Sequence, residues 1–171
     1  MVAVTEKLER ARTAAAAVND PELPMLTLHD LGILRGIRIE EDGTVTVRIT
    51  PTYSGCPALA EMRADVYRAV RAAGFGRVEV RTELSPAWTS DWITEEGRRK
   101  LTEHGISPPG RAPTRADGPV PLVLLPIRTA PRCPRCGAAE TEELSRFGAT
   151  SCKSLHRCRS CLEPFEHVKE I

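Results

Sequence analysis

The 171-residue sequence contains no apolar run approaching the ~18–20 residues that a membrane-spanning helix requires, so no membrane span is expected. It has no excess of one charge either. With 24 basic and 23 acidic residues the formal net charge is +1, which gives no electrostatic drive toward nucleic acid or an anionic surface. Aromatic residues make up 4% of the chain, and from Arg128 onward Phe147 and Phe165 are the only ones, a poor platform for stacking bases. The first dozen residues already carry Glu6, Lys7, Glu9 and Arg10 and lack the apolar core of a secretory signal, so a cytoplasmic protein is expected. No Ser/His/Asp set, phosphate loop or dinucleotide fingerprint is present, which weighs against an enzyme in its own right.

What is present is organised in two parts. Leu8, Ala11, Ala15 and Val18 recur at helical spacing over Thr5 to Val18, and Pro21 and Pro24 stop that helix. A strand is expected from Ile33 to Glu40, with Arg35 interrupting its apolar face. Asp42-Gly43 then turns the chain into a return strand, Thr44 to Thr50, that alternates through Val45, Val47 and Ile49. A helix from Pro57 to Ala73 buries Leu59, Met62, Val66 and Val70, and a third strand spans Arg77 to Thr82. Thr94 reads as a helix N-cap ahead of Glu95 and Glu96, and Gly105 as the left-handed C-cap after His104. This order predicts an α+β fold: a small three-stranded sheet covered by helices over residues 1–107. A Pro/Gly-rich linker over 108–121 and a β-rich four-cysteine ribbon over 122–171 follow.

The ribbon carries the strongest signal. Cys133-Pro134-Arg135-Cys136 and Cys158-Arg159-Ser160-Cys161 are two C-x2-C pairs with 21 residues between them. Each pair can place two sulfurs on one ion, and two such knuckles complete a tetrahedron that suits zinc and shuts out substrate. In a reducing compartment six cysteines point to metal ligands or reactive thiols, not to disulfides. Four thiolates also bind iron, so a redox-active iron ribbon stands beside the zinc reading. Cys152 is either a buried apolar thiol or a spare ligand, and His156 and His167 are alternative ligands near the site. From Arg128 onward eight Lys/Arg face six Glu, which leaves no phosphate-binding surface and so no nucleic-acid partner.

The sixth cysteine stands apart, in Thr50-Pro51-Thr52-Tyr53-Ser54-Gly55-Cys56-Pro57. With Pro57 at the first helical position, the N–H groups of Ala58 and Leu59 would favour the Cys56 thiolate, and Thr52 and Ser54 add hydroxyls. The alternative is a small residue filling a tight turn. Asp20, Glu22 and Asp30 are read either as turn and cap residues or as carboxylate partners of Cys56 in a mixed site. Trp88 and Trp92 are read as core or as a partner surface.

Asp20-Pro21-Glu22-Leu23-Pro24, Asp30-Leu31-Gly32-Ile33 and the segment ending in Cys56-Pro57 resemble the small domain of SUF-related iron–sulfur assembly proteins. The segment from Pro86 to Trp92, Gly105-Ile106-Ser107-Pro108-Pro109, and Ser145 to Lys153 narrow the resemblance to the PaaD family, over about Val18 to Lys169. That resemblance implies an accessory component of the phenylacetyl-CoA epoxidase system of aerobic phenylacetate breakdown, one that assists assembly of a di-iron oxygenase. It implies Cys56 as the reactive cysteine, transiently holding iron or an iron–sulfur species, with Asp20, Glu22 and Asp30 as loop carboxylates. It implies the di-iron oxygenase subunits and iron–sulfur assembly proteins as partners, and leaves pairing with a second copy of the chain open. A non-catalytic adaptor subunit is the alternative. The chain has no paired Glu-x-x-His helices to build a di-iron site of its own. It departs from the family at Glu170, where other members carry a cysteine, and in a linker that has neither Cys nor His.

Overall fold

The computed structural model describes residues 2–112 and 130–171, with side chains described from Thr5. The chain divides into two compact units, up to Lys100 and from Leu101 onward.

The first unit opens with α1 (Val2–Ala16) and continues through β1 (Leu34–Ile39), β2 (Val45–Ile49), α2 (Leu59–Ala72) and β3 (Val78–Thr82). β1 and β2 form an antiparallel hairpin, and β3 lies parallel to β2 on its other side. A parallel neighbour needs a crossover, which α2 supplies. Val45, Val47 and Ile49 of β2 are wholly buried as expected, but Thr46 between them, which the alternation would turn outward, is buried as well. Met62, Val66 and Val70 of α2 and Ala11 and Ala15 of α1 are buried as well, as are Leu26, Leu28 and Ile33 in the segment that leads into β1. Arg35 interrupts the apolar face because the β1–β2 register shifts between Leu34 and Gly36. A bulge there absorbs the extra residue. The Arg35 guanidinium lies over the Trp92 ring, 3.5 Å from its centroid.

Beyond β3 a short 3-10 turn (Ser90–Trp92) leads to α3 (Glu95–Glu103), within which the division between the units falls. Thr94 caps it as expected, its Oγ1 accepting the Gly97 N–H at 3.0 Å. Gly105 has φ +76°, the left-handed conformation a C-cap needs.

The second unit holds a four-stranded sheet in the order β4 (Ile106–Ser107), β7 (Pro164–Val168), β6 (Lys153–Cys158), β5 (Thr141–Ser145). Ile106–Ser107, read from the sequence as the end of the first domain, pairs in parallel with Glu166 and His167 of β7. The fold is α+β, with a helix-covered three-stranded sheet followed by a β-rich unit. Residues 113–121 of the expected linker and 122–129 of the expected ribbon lie outside the described residues. Among the described residues no helix is long and apolar enough to cross a membrane.

Candidate metal centre

Two turns of matching design present the four ribbon cysteines. In the first, the Cys133 N–H donates to the Ala138 carbonyl and the Gly137 N–H to the Cys133 carbonyl, each at 2.9 Å. In the second, the Cys158 N–H donates to the Glu163 carbonyl at 3.0 Å. Both turns need a left-handed residue after the second cysteine. Gly137 fills it at φ +75°, and Leu162 fills the equivalent position at φ +63°. A left-handed Leu costs about 1–2 kcal/mol, and its side chain is 68% exposed, so packing returns little. Leu162→Gly is therefore expected to raise stability by roughly 0.5–1 kcal/mol, after the added chain entropy of glycine is subtracted. Thermal melts of the metal-loaded chain check this, and a lower Tm in the variant contradicts it.

The two turns bring all four sulfurs within 4.8 Å of one another. Cys133 and Cys161 are 3.7 Å apart, sulfur to sulfur, and Cys136 and Cys158 are 3.5 Å apart. Zinc–sulfur bonds of about 2.3 Å put the corners of a regular tetrahedron about 3.8 Å apart, so the donor set fits a tetrahedral ion. The thiols are also electrostatically in conflict. The Cys161 N–H, with help from the Ser160 N–H and the Cys136 thiol, brings Cys158 down to about 6 against the opposing effect of burial. Cys161 is pushed up to about 12. The Glu163 N–H lowers it, but burial and the sulfurs of Cys136, Cys158 and Cys133 outweigh that. Thiolates this close repel, and a cation at their centre removes the conflict. Cys133 and Cys158 are buried with Phe165, and partly buried Ala138 packs against them, whereas Cys136 and Cys161 are exposed.

Cys152, His156 and His167 stand outside this cluster. Cys152 is half-buried, with its sulfur 3.0 Å from the Thr150 hydroxyl. His156 bonds Ser154 at 2.9 Å, and burial, with the nearby His167, lowers its pKa.

Cys56 is half-buried in the turn that precedes α2. The helix begins at Leu59, two residues later than expected from Pro57, and Ala58 takes the cap position. The Leu59 N–H, expected to face the thiolate, instead donates to the Cys56 carbonyl at 3.2 Å, and the Cys56 N–H donates to the Tyr53 carbonyl. Thr52 is half-buried in the same loop. Asp20 and Asp30 are buried and occupied locally. Asp20 Oδ1 accepts the N–H groups of Glu22 and Leu23. Asp30 Oδ2 accepts the Thr27 N–H at 3.0 Å and the Lys100 ammonium at 2.8 Å. Burial works to raise the Asp30 pKa, but those bonds hold it below the usual carboxylate value. Glu22 is half-buried. Among the described residues, three or more Cys, His, Asp or Glu ligands gather only at Cys133, Cys136, Cys158 and Cys161. Trp88 is core, 4% exposed with its indole N–H on the Leu31 carbonyl, so it offers no partner surface.

The two parts of the chain match two family models: an iron–sulfur cluster assembly protein over residues 8–82, and a PaaD zinc beta ribbon domain over 120–169. The chain is 43% identical over 154 residues to an Escherichia coli (strain K12) protein named as the D component of a "Putative 1,2-phenylacetyl-CoA epoxidase", covering 90% of this chain and 87% of that one. It is 34% identical over 85 residues to an Fe-S protein maturation auxiliary factor of Porphyromonas gingivalis (strain ATCC BAA-308 / W83), covering 49% of this chain and 80% of the relative. A domain of unknown function, DUF59, from Bacillus anthracis shares the fold, with a TM-score of 0.54 at 20% identity over 58% of this chain and 95% of that one. An assembly-type domain followed by a ribbon whose four cysteines converge, together with 43% identity across most of the E. coli epoxidase component, places the chain in the PaaD family.

Proposed function

We propose that this protein is a cytoplasmic accessory component of a phenylacetyl-CoA epoxidase system, assisting assembly of the metal centre of a di-iron oxygenase. In this reading Cys133, Cys136, Cys158 and Cys161 hold one zinc ion that stabilises the ribbon. Zinc there is closed to substrate and supplies no redox chemistry. Iron, or an iron–sulfur species, is cargo, and Cys56 is its point of attachment, with Thr52 of the same loop and the loop carboxylates Asp20, Glu22 and Asp30 as its candidate helpers. The observation that carries the reading is the joining of an iron–sulfur-assembly domain to a PaaD ribbon in one chain. The oxygenase subunits, and iron–sulfur assembly proteins upstream, are its partners.

Asp20 and Asp30 already hold local partners, so the cargo draws its remaining ligands from the acceptor or from a second copy of the chain. Co-expression of a Cys56→Ser variant with the oxygenase tests this. Iron per oxygenase is expected to fall about tenfold or more, in line with losses seen when metal sites are disturbed. Unchanged iron with stable co-purification would overturn the carrier role. It would leave a non-catalytic adaptor, the reading that the local engagement of Asp20 and Asp30 favours.

A further inference from the structure

The second sheet carries polar side chains where a core would carry hydrocarbon. Ser107, Ser154, His156 and His167 are each more than nine-tenths buried. His167 sits on β7 between Ser107 of β4 and Ser154 of β6, paired with both. Its Nδ1 lies 3.2 Å from the Ser107 carbonyl oxygen, and its Nε2 lies 3.3 Å from Glu170 Oε1. The same Glu170 oxygen accepts the Gly110 N–H at 2.9 Å. A Cβ on Gly110 would stand 3.3 Å from that oxygen, so the absence of a side chain helps the close approach.

Both partners of the ring are acceptors. A carbonyl has no proton to give. Burial works to raise the Glu170 pKa, but the His167 ring and the Gly110 N–H bring it down to about 2, so Glu170 is a carboxylate. A neutral imidazole offers one N–H and one lone pair, and would turn that lone pair toward one of the two acceptors. Only the imidazolium donates to both.

We infer that His167 is a proton-operated clasp: as the imidazolium it ties β4 and, through Glu170, Gly110 to β7, and on losing its proton it lets one of those ties go. The other titratable groups on the surrounding strands do not duplicate it. His156 of β6 meets the ring edge-on at 5.6 Å. Lys153 is paired with Glu166 at 2.7 Å, and Glu143 of β5 lies opposite His156. Lys169 donates to the Ser151 carbonyl. The run from Ile106 to Gly110 contains no charged residue. The sign follows. The clasp is closed at low pH and is lost as pH rises through the deprotonation of His167, while Glu170 stays ionised throughout.

Nitrogen NMR of the His167 ring, together with amide exchange at Gly110, tests this on the full metal-loaded chain between about pH 5.5 and about pH 8.5. Both ring nitrogens are expected to carry protons at the acid end and only one at the alkaline end. Gly110 exchange, corrected for its intrinsic base catalysis, should accelerate about tenfold or more across the same transition. Glu170→Gln should move the transition to lower pH, and His167→Gln should abolish the pH-dependent step. A ring with a single N–H at every pH would overturn the clasp, as would the same step in His167→Gln. If that variant does not fold, the ring nitrogens of the unaltered chain decide the matter.

Discussion

Chelating the metal proposed for the ribbon is expected to unfold β5, β6 and β7 while signals from residues 5–100 persist. Among the described residues the apolar cluster beneath the knuckles is Cys133, Cys158 and Phe165 with Ala138 packed against it, and two of those four residues are proposed ligands. That cluster does not by itself offset the conformational entropy of the two knuckles it must order. Structural zinc sites contribute about 10–16 kcal/mol of apparent binding free energy in small domains, more than such a core can replace. The full chain should bind about one equivalent of zinc and stay colourless. Cys158→Ser, which removes a buried ligand, should lose that equivalent and collapse the NMR dispersion of residues 130–171. Retention of the ribbon's strands without metal would contradict the structural role. Visible thiolate-to-iron absorption from the purified chain would replace zinc with iron, as the same four sulfurs allow.

Local chemistry was legible in the sequence. The alternation of Val45, Val47 and Ile49, the cap at Thr94, the left-handed Gly105 and the doubled C-x2-C spacing each rest on residues close together in the chain. Non-local pairing was not. Residues 122–171 read as β-rich, but nothing in that reading marks Pro164–Val168 as a strand, although Phe165 and His167 there are both buried. Ile106–Ser107 reads as part of the first domain because a two-residue strand has no periodicity of its own. Only β7, some sixty residues away, makes it one. The bulge at Arg35 needed the β2 register to be seen, and the start of α2 moved because the Cys56 carbonyl closes a turn with the Leu59 N–H. The carboxylates of Asp20 and Asp30 illustrate the same limit. Their turn partners lie within three residues, but Lys100, which neutralises Asp30, is seventy residues on.

Gly32→Ala should cost the first unit about 3 kcal/mol or more, from two separable causes. Gly32 has φ +66°, where an L side chain costs about 1–2 kcal/mol. A Cβ at this position would also stand 2.5 Å from the Trp92 carbonyl oxygen and 2.6 Å from the Trp92 Cβ, neither of which is the flexible end of a side chain. Trp92 cannot retreat freely. Arg35 covers its ring, its N–H is bonded to the Thr89 carbonyl, and two residues later the Thr94 N–H is bonded to the Asp30 carbonyl. A shift there would pull on the cap of α3 and on the Asp30–Lys100 ion pair. Gly43 supplies the control. It has φ +81° with nothing within 4 Å of a Cβ, so Gly43→Ala bears the backbone cost alone. Thermal melts of the two variants should differ by at least about 8 °C, the equivalent of some 2 kcal/mol in a unit of this size. Equal melting temperatures would mean that the contact between Gly32 and Trp92 yields without cost, and that the loop beside Asp30 is not held by it.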